Sequence, residues 1–135
     1  MDAETLDIAR RFAACPKWVW LRGMSARSGD HPCERWLFDG EAWVSDEGDT
    51  YRLPDLCAPA SLILAVANGP DLDDAVTRAA LLPVVRRAWD DETASVRFFG
   101  RWPLESMWEY RGRWVCYGSS ELAALLAALE AAPHA

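Results

Sequence analysis

The sequence predicts an α+β fold: an antiparallel sheet, built from two β-hairpins and flanking strands, packed against about four helices in a single domain over residues 1–135. Two turn-forming dipeptides, Asp39-Gly40 and Arg111-Gly112, each separate two runs that are rich in aromatic residues. Apolar residues near both ends of the chain recur at helical spacing. A length of 135 residues is typical of one domain.

The first element is predicted to be a helix over residues 2–14 that ends at Pro16. Its apolar positions are Ile8, Ala9, Phe12 and Cys15. Residues 18–21 then alternate tryptophan with aliphatic side chains, which predicts an inner strand. We expect at least one of Trp18 and Trp20 to line the core.

The next segment, residues 25–33, is polar in composition and is predicted to form a loop. The hairpin that follows is predicted to turn in the two-residue form that Asp-Gly favours. That register places Trp36 opposite Trp43 and Phe38 opposite Glu41. We therefore interpret Trp36 and Trp43 as residues of the sheet rather than of a site.

Two helices are predicted in the middle of the chain. The apolar run that ends at Asn68-Gly69 predicts a short buried helix, because Pro59 suits its first turn and Asn-Gly suits its C-cap; a buried strand is the alternative. Residues 74–89 predict one helix with a kink at Pro83. The apolar residues that keep one helical phase around this proline are Leu81, Val84, Val85, Ala88 and Trp89.

The last third of the chain predicts a strand over residues 94–99, a hairpin over 107–117 and a helix over 120–131 with Ser119 as its N-cap. With a two-residue turn at Arg111-Gly112, the hairpin has two mixed faces. One face carries Trp108, Tyr110, Arg113 and Val115, and the other carries Met107, Glu109, Trp114 and Cys116.

The formal net charge of −7 argues against a protein whose whole surface binds nucleic acid, because that affinity depends on neutralising phosphates. The longest apolar stretch, Ala58 to Ala67, is far shorter than the ~20 residues that span a bilayer. The first residues are acidic where a signal peptide is basic. We expect a cytoplasmic protein with no membrane partner.

Three stretches resemble a group of small phage- and prophage-encoded proteins. Arg11 to Met24 matches the opening R-F-x-A-C-x-x-W-x-W-x-x-G-M of that group. PDLDDAVTRAALLPVVRRAWDD (residues 70–91) is similar to its PDL-x-DPAT-x-x-x-LL-x-LV-x-x-AW segment, apart from Ala75-Val76 and Pro83, and ELAALLAALEAAP (residues 121–133) is similar to its closing helix. The resemblance covers the two ends of the chain, and it implies origin in a mobile element within a bacterial host cell.

No cofactor and no metal site are predicted, since Cys15, Cys33, Cys57 and Cys116 are scattered without a zinc-binding spacing. The group His31-Pro-Cys33 supplies two potential ligands in a polar loop. The second histidine, His134, is close to the end of the sequence, so no catalytic triad is nominated. Glu105 and Glu109 fit a solvated rim as well as an acid/base pair.

Five acidic residues fall within eleven positions with no basic residue between them: Asp39, Glu41, Asp46, Glu47 and Asp49. Asp71, Asp73 and Asp74 add further negative charge. One interpretation is an acidic face that imitates nucleic-acid phosphates and occupies a basic groove of a host protein. The alternative is a solvated rim.

A second candidate surface combines aromatic and basic residues around the second hairpin. Its proposed contact residues are Arg101, Trp102, Trp108 and Arg111. Tryptophan and arginine dominate contact surfaces between proteins, and aromatic residues beside arginine also stack on exposed bases. We expect one tryptophan of this region to stay partly exposed.

The leading hypothesis from the sequence is a non-enzymatic binding protein that occupies a surface of a host protein, such as a defence or nucleic-acid-handling factor. The alternative is a single-stranded nucleic-acid-binding module that uses the second hairpin. A small enzyme acting through carboxylates or Cys33 is a further alternative. A homodimer is compatible with each of these functions.

Overall fold

The computed structural model of the chain describes residues 2–29, 34–101 and 104–133. Its elements are α1 (Ala3–Ala14), β1 (Ser25–Arg27), β2 (Arg35–Phe38), β3 (Trp43–Ser45), β4 (Thr50–Tyr51), α2 (Ala60–Asn68), α3 (Ala75–Trp89), β5 (Ser95–Arg101), β6 (Leu104–Tyr110), β7 (Arg113–Gly118) and α4 (Glu121–Ala131). The predicted α+β class is confirmed. Strands β1 to β4 form one antiparallel sheet and strands β5 to β7 form another.

The chain divides into two compact units, each with its own sheet. The first unit consists of Met1–Ala14 and Val19–Ala80, and the second of Cys15–Trp18 and Leu81–Ala135. That the whole chain forms one domain stays a prediction. No helix among the described residues is long and apolar enough to cross a membrane.

The core of the first unit forms between its sheet and helix α2. Trp36 and Trp43 are buried against Leu62 and Ala65 of α2. The ring of Trp20 packs edge-on against Trp43, with ring centroids 4.8 Å apart. The prediction that Trp36 and Trp43 are residues of the sheet is confirmed.

The first hairpin is confirmed, but its predicted register is wrong. Phe38 lies opposite Trp43, and Trp36 lies opposite Ser45. The loop therefore has four residues instead of two. The cause is the side chain of Asp39, whose Oδ1 accepts hydrogen bonds from the backbone N–H groups of Glu41 (2.9 Å) and Ala42 (2.7 Å), and this closes a wider turn.

The predicted strand at residues 18–21 is wrong, and the strand lies slightly later, at β1. The backbone turns between Leu21 and Met24, whose N–H donates to the Leu21 carbonyl (3.1 Å), and Gly23 supplies the positive φ that the turn requires. Trp20 nevertheless packs on the core, as expected of at least one of the two tryptophans. Of the predicted polar loop over residues 25–33, the start is strand and residues 30–33 lie outside the described part of the chain.

Helix α2 is confirmed as a helix, but it is buried on one side only. Leu62 and Ala65 face the core, whereas Ile63 and Leu64 are largely exposed. Its last turn ends at Gly69, whose N–H donates to the Val66 carbonyl at 3.1 Å. The sequence suggested full burial because this segment carries no charged residue to mark a solvent-facing side.

The second unit packs α4 against the sheet of β5, β6 and β7. The indole N–H of Trp89 donates to the carbonyl of Ala128 (2.8 Å), and the Trp89 ring lies 6.4 Å from that of Trp108. Helix α4 is capped by Ser120, whose hydroxyl accepts from the N–H of Ala123 at 3.1 Å. The predicted cap, Ser119, is thus wrong by one residue.

Helix α3 runs from Ala75 to Trp89 as one helix, with Pro83 inside it. A proline at this position donates no backbone hydrogen bond, and its ring crowds the carbonyl four residues earlier. The prediction of one helix that continues through Pro83 is confirmed, and a helix boundary at Pro83 is excluded. The kink at Pro83 stays a prediction.

Pro83→Ala is expected to stabilise the protein by up to about 3 kcal/mol, because alanine restores the backbone donor and removes the ring clash. Pro83 is exposed, so the substitution leaves no cavity. Thermal denaturation followed by circular dichroism measures the change. A variant that melts no higher than the parent would contradict this account of the helix.

Gly69→Ala is expected to destabilise the first unit strongly. Gly69 has a φ of 85°, and a methyl group there would overlap the backbone carbonyl of Ala9. Gly48→Ala is the matched control, because Gly48 has a similar φ of 92° but no atom within 4 Å of the added carbon. In urea denaturation, the free energy of unfolding should fall by about 2 kcal/mol more for Gly69→Ala than for Gly48→Ala. Equal decreases for the two variants would show that α1 does not approach Gly69.

Candidate functional site

The acidic residues of the first candidate surface do not form one patch. Asp39 and Glu41 lie in the turn before β3, whereas Asp46, Glu47 and Asp49 lie at the turn after it. Successive turns of an antiparallel sheet lie at opposite ends of the strand that joins them, which here is three residues or about 10 Å long. The five residues are close along the chain, but strand β3 places them in two groups at its opposite ends.

The turn before β3 is partly neutralised by arginines. Glu41 Oε2 lies 2.8 Å from Arg52 Nη2, although both side chains are well exposed and such a pair stabilises little. The backbone hydrogen bonds from Ala42 and Glu41 lower the pKa of Asp39, and the charges of Arg22 and Arg52 add to that effect. Asp39 therefore closes its own turn through Oδ1.

The turn after β3 remains an exposed acidic group. Asp46, Glu47 and Asp49 are all exposed, and none has an ion pair among the described residues. Asp49 contributes its backbone N–H to the Ser45 hydroxyl (3.0 Å), so its carboxylate is not used by the turn. The turn after β3 therefore has the features expected of a solvated rim.

Asp71 and Asp74 form part of a polar junction inside the first unit, whereas Asp73 is exposed. Asp74 Oδ2 accepts from the Thr77 hydroxyl (2.6 Å) and N–H (3.1 Å) and from the Ser25 hydroxyl (3.2 Å). The buried Asp71 accepts from Arg27 Nε at 2.8 Å. Burial opposes ionisation of Asp74, but the hydrogen bonds from Thr77 and Ser25 outweigh it and lower the pKa of Asp74.

The second hairpin contains a β-bulge that decides which side chains face outward. Tyr110 pairs with Arg113 and Glu109 with Trp114, as a two-residue turn predicts. Trp108 then pairs with Cys116, so Val115 is an extra residue in β7. The predicted position of Cys116 on the Trp114 face is therefore wrong, because the bulge shifts every later residue of β7 to the other face.

The outward face of the second sheet is the side opposite to Trp108, Cys116 and Gly118. Gly118 adjoins Ala123 and Ala124 of α4, so the helix packs on that inner side. Two rows of paired residues define the outward face: Ser95, Glu109 and Trp114 in one row, and Arg97, Met107 and Tyr117 in the other.

Two large aromatic side chains dominate this outward face. Trp114 is 57% exposed and Tyr117 is 62% exposed. Both lie on strand β7 in the two neighbouring rows of this face, and Met107 is paired with Tyr117. Arg97 Nε lies 3.1 Å from Glu109 Oε2, and this ion pair keeps the guanidinium of Arg97 on the same face. The expectation of a partly exposed tryptophan is confirmed, and the residue is Trp114.

The four residues predicted for the aromatic and basic surface have different outcomes. Trp108 is 0% exposed, packed on Trp89, so its predicted role as a contact residue is wrong. Arg111 is exposed at the hairpin tip, with its guanidinium carbon 5.1 Å from the centre of the Tyr110 ring. Trp102 and the side chain of Arg101 lie outside the described part of the chain. The sequence missed Tyr117 because the bulge that exposes it has no clear sequence signal.

The residues considered for catalysis are not assembled into a reactive group in the described ranges. His31, Cys33, His134 and the side chain of Glu105 lie outside them, and Glu109 pairs with Arg97. Burial raises the pKa of the Cys116 thiol, which disfavours the reactive thiolate. Within the same ranges, no group of three or more potential ligands could hold a metal ion.

The net charge is distributed unevenly along the chain. The first unit contains fourteen acidic and seven basic residues, and the second contains seven of each. The formal charge of −7 therefore belongs to the first unit, and the unit that carries the exposed aromatic face is neutral. In that second unit, Arg97, Arg111 and Arg113 are exposed.

Comparison with known proteins gives no relative. No family model matches the chain. No curated protein and no solved structure matches it either.

Arg111→Asn is expected to stabilise the second hairpin by about 0.5 to 1 kcal/mol. Arg111 has a φ of 50°, a left-handed conformation that asparagine adopts more readily, and Gly112 follows with a φ of 74°. Arg113→Asn is the control, because it makes the same chemical change in a strand, where asparagine is disfavoured. The melting temperature should rise for Arg111→Asn and not for Arg113→Asn. A lower melting temperature for Arg111→Asn would contradict this turn geometry.

Proposed function

We propose that this protein is a non-enzymatic binding protein, encoded by a phage or prophage, that occupies a surface of a host protein through the outward face of its second sheet. The observation that carries the proposal is the exposure of Trp114 and Tyr117 side by side on that face. Its origin in a mobile element rests on the resemblance of the two ends of the chain to small phage proteins.

The composition of the outward face suits a protein partner. Tryptophan, tyrosine and arginine supply most of the energetically important contacts in protein interfaces, and methionine is enriched there as well. The outward face carries one residue of each of these four types: Trp114, Tyr117, Arg97 and Met107. The ion pair with Glu109 already restricts the side chain of Arg97 before a partner binds. Less side-chain entropy is therefore lost on binding.

The rigidity of the sheet beneath the aromatic residues also supports binding. Trp108 and Cys116 alternate with the outward-facing residues and are buried on the α4 side. Trp114 and Tyr117 therefore project from a strand whose other face is fixed in the core. Contact residues on a packed sheet keep their positions better than residues on a loop.

The charge of the first unit favours a partner with a basic surface. A protein of charge −7 is attracted to basic molecules over distances up to about a Debye length, which raises the rate of encounter. Proteins that handle nucleic acids carry such basic surfaces. Inhibition of a host defence or nucleic-acid-handling factor is the activity that this combination favours.

The test is capture of a partner from bacterial host lysate, followed by calorimetric titration of the purified partner. Trp114→Ala and Tyr117→Ala are each expected to weaken binding about 30-fold or more, since truncation of a central aromatic contact costs about 2 kcal/mol. Phe98→Ala is the matched control, because Phe98 is an exposed aromatic residue of the same sheet on its other face. Equal loss in all three variants, or no loss in the first two, would refute the assignment of this face.

Binding of single-stranded nucleic acid is the second candidate, and the spacing of the aromatic residues favours it. Trp114 and Tyr117 are about 7 Å apart along the strand, close to the step between successive unstacked bases, and exposed arginines lie at positions 97, 111 and 113. An oligonucleotide should then quench tryptophan fluorescence at low salt, and Trp114→Phe should abolish most of that quenching. Absence of quenching at low salt rejects this candidate and leaves the protein-binding proposal intact.

A further inference from the structure

The outer side of helix α2 carries an exposed apolar stripe. Its members lie at positions i, i+3, i+4 and i+7 of the helix and are Ala60, Ile63, Leu64 and Ala67. Ile63 is 55% exposed and Leu64 is 43% exposed. The opposite side of the helix, with Leu62 and Ala65, already packs on the core, so the stripe is not needed to hold α2 in place.

The size pattern of this α2 stripe is the same when it is read in either direction. Small residues lie at both ends, Ala60 and Ala67, and large residues lie in the middle, Ile63 and Leu64. If two copies of α2 pack antiparallel about a two-fold axis, Ala60 meets Ala67 of the second copy and Ile63 meets Leu64. In this arrangement small side chains face small ones at the two ends, and the large side chains of both copies meet at the centre.

The charges at the two ends of α2 have the same symmetry. At the N-terminal end, Glu34 Oε2 lies 2.6 Å from the Ser61 hydroxyl. At the C-terminal end, Arg10 Nη2 lies 3.2 Å from Asn68 Oδ1. Both charged residues are exposed, and antiparallel packing brings each Arg10 to the end of the partner helix that carries Glu34.

We propose that a second copy of this chain covers the α2 stripe, so that the protein forms a two-fold symmetric dimer through antiparallel α2 helices. The choice of a second copy over a foreign helix rests on the opposite charges at the two ends of α2, which antiparallel packing of two copies brings together. Helix α2 is about 13 Å long, so the contact is smaller than that of a permanent dimer. Association is therefore expected in the micromolar range.

Sedimentation equilibrium between about 5 and about 500 µM tests the proposal. The mass should rise from the 15.1 kDa of the monomer toward twice that value. Ile63→Glu should weaken dimerisation at least tenfold, because it places two like charges near the symmetry axis, and it should leave the circular dichroism spectrum unchanged. Val76→Glu, which alters an exposed apolar residue of α3, is the control and should leave dimerisation unchanged.

Charge reversal distinguishes a second copy from any other occupant. Arg10→Glu and Glu34→Arg should each weaken dimerisation, and the double variant should restore it, because the two positions then face each other with exchanged charges. A wild-type mass of 15.1 kDa at every concentration would overturn the proposal. Dimerisation that Ile63→Glu leaves intact, or that the double variant fails to restore, would overturn it as well.

This proposal does not rest on the function proposed above, because the α2 stripe belongs to the first unit and the aromatic face to the second. Failure of the Trp114 variants to affect a host partner would leave the dimer standing. A monomeric protein would likewise leave the aromatic face as a binding surface.

Discussion

The extra residue in strand β7 is the constraint on which the binding surface depends. Before the bulge, the side chains of β7 alternate as a regular hairpin requires; after it, Cys116 turns inward beside Trp108 and Tyr117 turns outward. In a regular ladder Tyr117 would share the inner face with α4, and Cys116 would be exposed. One residue of register therefore converts a mixed face into a surface with two neighbouring aromatic rings.

The first unit depends in the same way on a small polar junction. Strand β1 is only three residues long, and Ser25 connects it to the start of α3 through the N–H to Thr77 (2.9 Å) and the hydroxyl to Asp74. Thr77 is buried, so its hydroxyl would cost about 1 to 3 kcal/mol if left without partners. The junction explains why a segment with polar composition forms a strand in which Ser25 and Ala26 are buried, and it engages the carboxylates of Asp71 and Asp74 in internal hydrogen bonds.

Local signals in the sequence were sufficient for the class of fold and for most elements. Helical spacing located α1, α3 and α4 to within a few residues, and the two turn dipeptides located both hairpins. Such signals act over a few residues and depend on side-chain periodicity alone. They failed where a side chain competed with the backbone: at Asp39, which widened a turn, and at Ser25, whose partner is 52 residues away.

The candidate site was less predictable than the fold, because exposure depends on which face of the sheet α4 covers and, for Tyr117, on the register of β7. The sequence identified the second hairpin as a contact region and required an exposed tryptophan there, but it selected Trp108 where the structure exposes Trp114. The acidic cluster is divided between two turns, because strand β3 separates residues that are close along the chain. Its role in binding a partner stays a prediction. The exposed side of α2 could not be predicted, because no charged residue in this helix marks the side that faces solvent.

Hydroxyl-radical footprinting of the intact protein, read by mass spectrometry, tests the central claim most directly. The bulge turns Cys116 into the core and Tyr117 into solvent beside Trp114. Relative to the unfolded chain, oxidation of Cys116 should therefore be slowed at least about ten times more than oxidation of Tyr117, in keeping with their burial. Equal slowing at Cys116 and Tyr117, or stronger slowing at Tyr117, would show that β7 has the regular register and that the outward face with two aromatic rings does not exist.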